Sequence, residues 1–294
     1  MHHRRWTFLL LAAALVGTVA GCGRVSDRST GRAHQLITEG FGARVLHDGS
    51  ALDGRTVMDA LRGGATVETD YGGGFVSAID GVRSDLRAQR DWFYFVNGVA
   101  PGRGADQQPL RAGDSVWWDY RPWGGLAEGA PVVGLWPEPF VHGFPDAPTT
   151  VVADPPLDTA LRAAGAPVGS GTSAWRVIVG ADQSLRTRDA TWRAAMRNPI
   201  ATGLTVRIRA EHIEALQPDG ATFVTISTGR AIAVAVATGT DPDHAGVVMA
   251  VAGLDEAAAQ AAAATIARDP TVLRGRFAVV FDASGVPVSA GGQA

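Results

Sequence analysis

Two groups of residues in this sequence have types and spacing that bear on chemistry. The first is Cys22, the only cysteine among 294 residues. It has no partner for an internal disulfide, and a leftover thiol in an exported chain calls for a covalent role. The second is an aromatic cluster in which Trp92, Trp117, Trp118 and Trp123, four of the eight tryptophans, share one short stretch with Tyr94. Such side chains can form the apolar walls of a ligand site, which also needs a few polar groups at its rim. Tyr71, Arg121 and the loop from Gly102 to Gln108, with Gln107, offer those groups. The candidate ligand-binding residues are therefore Tyr71, Trp92, Tyr94, Gln107, Trp117, Trp118, Arg121 and Trp123.

Catalytic patterns are missing. The sequence holds no Gly-x-Ser-x-Gly elbow, no Walker loop and no paired-histidine motif, so the expectation is a protein that is not an enzyme. Gly72-Gly73-Gly74 lies between strand-like runs and reads as a turn, unlike a phosphate loop that opens a helix. Asp241-Pro242-Asp243-His244 reads as a solvated turn. His34, His47, His212 and His244 show no ligand spacing among themselves, and no protein-held metal is expected. The net charge of -3, with every one of the scattered basic residues an arginine, provides no stripe to neutralise phosphates. Nucleic acid is set aside as a partner.

Arg4 and Arg5 precede an apolar run from Phe8 to Ala20, shorter than the roughly 20 residues a spanning helix needs. It reads as a signal peptide. Its end, Val19-Ala20-Gly21-Cys22, resembles the lipobox of bacterial lipoproteins. That resemblance implies cleavage after residue 21, diacylation of the Cys22 sulfur and a chain held on the extracytoplasmic face of the cell membrane. Two acyl chains anchor stably where one binds only marginally.

The elements that must position the aromatic cluster follow. Residues 1–22 form the signal, and polar, unpatterned residues 23–34 a tether. A first domain spans 35–122. It opens with a strand at Phe41 to Leu46 and a helix capped by Thr56, with Asp59 completing a capping box and Val57, Ala60 and Leu61 on the buried face. Gly63-Gly64 is expected to end that helix through a positive φ. Period-two runs at 66–69, 75–79, 92–96 and 115–120 predict strands, separated by Asp80-Gly81, Asn97-Gly98 and Gly113-Asp114. One helix on a mixed sheet is an α+β roll, of which a β-grasp is the simplest form. Adjacent strand residues face opposite ways, so Trp117 and Trp118 cannot share one core. Phe93 and Phe95 are assigned to the core, opposite Trp92, Tyr94 and Val96.

A connector over 123–155, rich in Pro, Gly and Trp, can hold neither a long helix nor a central strand. Its aromatics imply that it packs along one or both domains. Residues 156–294 alternate helix and strand signals and predict an α/β or α+β domain. Helices are expected near 156–164, 188–196 and 255–268. Strands are expected at 175–179, 204–208, 223–227, 232–237, 247–251 and 277–281.

Within the first domain, several segments occur in order. They are Thr56 to Leu61, Gly74-Phe75-Val76 to Ile79-Asp80-Gly81, Trp92-Phe93-Tyr94-Phe95-Val96-Asn97-Gly98, Gly104-Ala105, and Leu110 to Gly113-Asp114-Ser115-Val116-Trp117-Trp118-Asp119-Tyr120. This series resembles the C-terminal β-grasp domain of transcobalamin and intrinsic factor and its bacterial lipoprotein relatives. The resemblance covers about a third of the chain. It implies cobalamin, or another corrinoid, as a possible ligand; no cofactor is required. It also departs from the family, because no helical barrel precedes the domain and half of the expected clamp is missing. His142 is the one histidine whose position suits an axial cobalt ligand, and a solvated loop histidine is the simpler reading. The sequence thus points to a lipid-anchored binding protein that hands a corrinoid or similar large ligand to a membrane importer. The alternative is a non-catalytic interaction module that grips an envelope protein or a glycan with its aromatic face; the second sheet face is either a ligand surface or covered by the connector.

Overall fold

The structure, a computed structural model, describes residues 33–50, 55–124, 129–241 and 245–288. Cys22, the signal segment and His244 lie outside the described residues. The protein is α+β, with two sheet systems joined by the connector.

In the N-terminal half, β1 (His34–Glu39) and β2 (Arg44–Ser50) form an antiparallel hairpin, and β1 also runs parallel to β7 (Ser115–Pro122), which pairs antiparallel with β6 (Arg90–Val96). The order β2-β1-β7-β6, with helix α1 (Val57–Gly64) on one face, is a β-grasp. A small second sheet, β3 (Val67–Asp70), β4 (Phe75–Ile79) and β5 (Val82–Arg83), packs beside β6. Thr56 and Asp59 form the expected capping box at 3.1 and 3.2 Å, and Val57, Met58, Ala60 and Leu61 are buried. The helix ends at an extended Ala65, with φ -147°, so the expected positive-φ glycine stop is absent; the Ala65 N–H closes the last turn on the Leu61 carbonyl. The Asn97-Gly98 and Asp80-Gly81 turns take positive φ at both residues, as two-residue hairpin turns require.

The expectation of an opening strand at 41–46 is corrected. The first strand begins at His34, and Phe41 lies in the turn before β2. Polar Gln35 and Thr38 occupy fully buried positions of β1, which hid the strand from an apolar-pattern reading.

The C-terminal half centres on a six-stranded sheet in the order β16-β15-β13-β14-β9-β8. Its members are β8 (Val152–Ala153), β9 (Arg176–Ala181), β13 (Ala231–Ala237), β14 (Val247–Gly253), β15 (Val279–Phe281) and β16 (Pro287–Val288). Residues of β13 and β14 alternate between two cores. Ala233, Met249 and Val251 meet α5 (Glu256–Arg268) and α2 (Leu157–Ala163), whereas Val234, Val236 and Ala250 meet α4 (Ala190–Arg197) and α3 (Asp182–Arg188). Burial on both faces explains the unbroken apolar runs of these strands. The helix expected near 188–196 is α4; α3, not among the expected helices, ends just before Asp189, whose carboxylate caps α4 by accepting the Trp192 N–H at 2.8 Å. A three-stranded sheet, β10 (Val206–Arg209), β11 (His212–Leu216) and β12 (Phe223–Ile226), covers the same side.

The halves share a core. Leu36, Phe41, Phe95 and Trp117 of the grasp pack with Val132 and Leu135 of the connector and Phe277 of the C-terminal half. Trp117 lies 5.0 Å from Phe277 in an edge contact, and Phe95 and Phe41 each lie 5.5 Å from it. Two glycines permit this approach. A Cβ on Gly42, at φ +80°, would meet the Gly275 carbonyl at 2.0 Å, and one on Gly134 would meet the Arg276 backbone at 2.5 Å. At the edge of the contact, Arg274 donates to Asp48 from Nε at 2.9 Å and from Nη2 at 2.6 Å.

Trp117→Ala should cost about 3–5 kcal/mol, as large-to-small core changes do. Because its pocket is built by both halves, urea unfolding followed by far-ultraviolet circular dichroism should remain a single transition at a lower midpoint. Retention of the wild-type midpoint would contradict the shared core. A second expectation concerns acid. Partial burial opposes ionisation of Asp48, but hydrogen bonds from Arg274 and His34, with their charges, hold its carboxyl below the usual range. Its contribution is therefore present above the unfolded value near 3.9 and lost as pH falls through the lowered folded value. The stability gap between wild type and Asp48→Asn, less than about 1 kcal/mol for so exposed a pair, should close below about pH 4 in urea titrations.

Candidate functional site

Alternation along β6 and β7 divides the aromatic cluster between two faces. Trp92, Tyr94, Val96, Val116, Trp118 and Tyr120 line the face beneath α1, and Phe93, Phe95, Trp117, Asp119 and Arg121 line the other. Trp117 and Trp118 do point to opposite sides, but both are fully buried, so neither offers a surface to a ligand. The assignment of the Phe pair to a core holds for Phe95, which is fully buried, whereas Phe93 is half-buried. The helix-covered core of the grasp is built on Trp92 and Trp118, while Phe95 packs into the contact with the C-terminal half.

On the helix side, ring contacts fix the aromatics. Trp92 lies 5.3 Å from Tyr120, and Tyr94 lies 5.1 Å from Trp118. The Trp92 indole N–H donates to the Val82 carbonyl at 3.0 Å, the Tyr120 hydroxyl to the Arg83 carbonyl at 2.8 Å, and the Tyr94 hydroxyl to the Arg103 carbonyl at 2.7 Å. These bonds tie the core to β5 and to the loop after Gly102. Trp123 is half-buried, and its backbone N–H donates to Gln89.

On the other face Arg121 is almost wholly enclosed, its guanidinium 4.2 Å above the Phe93 ring and 5.4 Å from that of Phe277. Its Nε lies 3.9 Å from Asp119, whose carboxylate accepts the Thr38 hydroxyl at 2.5 Å and the N–H groups of Phe41 and Gly42 at 3.0 and 3.1 Å. Thr38 in turn accepts the Trp117 indole N–H at 2.7 Å. Burial pushes the Asp119 carboxyl up, against the lowering effect of Arg121, Thr38 and the two backbone donors. This network holds the turn between β1 and β2 against the C-terminal half. Arg121 is therefore a structural residue here, not a rim contact for a ligand.

Two of the sequence candidates are exposed, Tyr71 and Gln107. Tyr71, at 90% exposure, stands at the tip of the β3–β4 turn with φ 52°, followed by Gly72 and Gly73 at φ 78° and 103°. Its ring meets Phe75 edge-on at 5.9 Å, and Phe75 is itself exposed. Gly74 abuts Asp106, where an added Cβ would lie 3.3 Å from the carboxylate, so the Tyr71–Phe75 turn and the Gly102–Gln108 loop form one rim. The rim joins aromatic surface to the polar side chains of Asp106 and Gln107. Phe75 was not among the sequence candidates. Its signal was the i, i+4 spacing from Tyr71 across the glycine triplet.

His142 lies on the connector, its Nδ1 2.5 Å from the buried Glu138 carboxylate, which also accepts the His142 N–H at 3.0 Å. Burial raises the Glu138 carboxyl, against the hydrogen bonds and charge of His142. Among the described residues no three His, Cys, Asp or Glu side chains gather as a metal site. No helix among them is long and apolar enough to cross a membrane.

The rim should be separable from the fold. Tyr71→Ala, which removes an exposed ring, should change stability by no more than about 0.5 kcal/mol, as read from the urea midpoint. A larger loss would mean that the tip is a packing element.

Residues 54–121 match a family described as a domain of unknown function, DUF4430. No curated protein matches the chain. Among solved structures, a protein from Ruminococcus gnavus to which metal binding has been ascribed is 17% identical, with a TM-score of 0.27 over 32% of this chain and 98% of that one. Haptocorrin in complex with Cbi is 14% identical, with a TM-score of 0.27 over 32% of this chain and 25% of that one. The chain thus spans a quarter of haptocorrin's length. Both likenesses are distant.

Proposed function

We propose that this chain is a lipid-anchored extracytoplasmic binding protein whose grasp domain takes a corrinoid or similarly large amphipathic ligand at the Tyr71–Phe75 and Gly102–Gln108 rim. The observation that carries the reading is the exposed aromatic pair beside a polar loop, on a domain whose residue series resembles the transcobalamin C-terminal domain. Phe75 and Tyr71 supply apolar contact to the face of a corrin, and Gln107 and Asp106 supply polar contact to its amide edge. The rim is open, so it covers one side of such a ligand. The other side is completed by a partner, for which a membrane importer is the natural candidate. No residue is assigned to catalysis.

Cys22, lipidated as the lipobox resemblance implies, keeps the rim near the membrane. The eleven residues 23–33 between Cys22 and β1 reach at most about 40 Å, short enough to hold cargo at an importer's mouth.

One observation favours the alternative, an interaction module for an envelope protein or glycan. The two grasp faces that carry most of the aromatics are already covered, which leaves a small rim suited to a local contact.

Calorimetric titration of the full-length chain in detergent with cobalamin distinguishes these. Saturable heat, lost in a folded Tyr71→Ala, Phe75→Ala double variant, supports the corrinoid reading. Absence of heat at high ligand excess favours the interaction module. For the anchor, wild-type chain should fractionate with membranes and Cys22→Ser should be released by a salt wash. Equal membrane retention of both would refute lipidation at Cys22.

A further inference from the structure

A second site lies at the end of the grasp sheet's Trp117 face. There His34, Leu36 and Ser115, which share that face with Trp117, line a cleft of about 230 Å³. The connector contributes Gly134 to Glu138, and the C-terminal half contributes Pro270, Thr271 and Arg274. All three parts of the chain thus build one cavity, and clefts between packed bodies are common places for ligands. Its volume is below the roughly 300 Å³ at which drug-sized pockets begin, so an occupant must be small.

The lining has a distinct chemistry. Trp136 is half-exposed and held by an edge contact with Phe140 at 5.8 Å, so its indole forms a fixed flat wall, continued by Leu36, Leu135 and two prolines. Arg274 is oriented from one side only. Its Nε and Nη2 donate to Asp48 at 2.9 and 2.6 Å, and Nη2 lies 3.0 Å from His34 Nε2. Its Nη1 group has no partner among the described residues, and neither does the Ser115 hydroxyl, whose backbone N–H is occupied by Asn97. The nearby Glu138 carboxylate is taken up by His142 and does not compete for these donors. A held guanidinium with a spare N–H edge, beside a spare hydroxyl and an indole wall, matches a carboxylate on a flat apolar body.

We propose that this cleft binds a small planar organic carboxylate, with the carboxylate at Arg274 Nη1 and Ser115 Oγ and the apolar body against Trp136. The site is separate from the Tyr71–Phe75 rim and does not depend on the corrinoid reading. Such a ligand touches the grasp, the connector and the C-terminal half together, so its binding adds to the contact that joins them.

The test is calorimetric titration of the full-length chain in detergent with phenylacetate, compared with neutral 2-phenylethanol. Saturable binding of phenylacetate is expected, at least about tenfold tighter than the alcohol, a difference that removal of a single charged contact reaches. Arg274→Gln should abolish that preference. Asp48→Asn, which breaks the same bridge but keeps the guanidinium, should retain it and so separates lost recognition from a loosened contact. Ser115→Ala, which leaves the bridge intact, should weaken phenylacetate severalfold while Tyr71→Ala leaves it unchanged. Absence of saturable heat in the wild type, or equal affinities in wild type, Arg274→Gln and Ser115→Ala, would overturn the proposal.

Discussion

The contact of Trp117 and Phe95 with Phe277 is the constraint on which the rest of this structure depends. A β-grasp has one face covered by its helix and one face to dispose of, and here the second face is covered by the connector and a distant part of the same chain. Once that face is filled, β7 is buried on both sides, which accounts for adjacent tryptophans in its middle. The turn that carries Gly42 must also approach the Gly275 carbonyl closely, and the space is available only because Gly42 has no side chain. The buried Asp119 carboxylate enters the same contact with its oxygens hydrogen-bonded. Asp119 is enclosed, yet it collects a hydroxyl and two backbone N–H groups beside Arg121, so the charge is not left without compensation.

That arrangement limits which aromatic side chains can meet a ligand. An aromatic cluster is an ambiguous sign, since the same rings serve equally well as ligand walls or as core. In this chain packing claims most of them, and what remains for recognition is the part that packing does not need: a glycine-rich turn with an exposed Tyr71 and Phe75, and the adjoining polar loop. Glycines in the turn let it take left-handed conformations, and its ring pair stands clear of both cores. The fold thus acts as a rigid base for a small rim.

Much of the local structure was legible in the sequence. The capping box at Thr56 and Asp59, the Asn-Gly and Asp-Gly turns, and the opposite orientation of Trp117 and Trp118 follow from short-range rules. The first strand was not legible, because Gln35 and Thr38 break the apolar pattern while lying fully buried. The division of the Phe and Trp residues between the faces is legible too, but not that both faces are cores. Alternation shows which side chains share a face, but it does not show which face the helix covers. Nor could the role of Arg121 be read from its position after Tyr120, because its principal neighbours include Phe41 and Phe277, far away in the sequence. Phe75 was missed because it sits in a strand whose pattern already explained it.

Recognition of the large ligand belongs, on this proposal, to the rim and not to the sheet faces. Hydrogen exchange of the full-length chain with and without cobalamin tests it most directly, because each segment reports separately. The account predicts added protection of the amides in 71–75 and 102–108, with β7 already slow to exchange and unchanged. Protection confined to β7, to the connector or to the C-terminal half would contradict it.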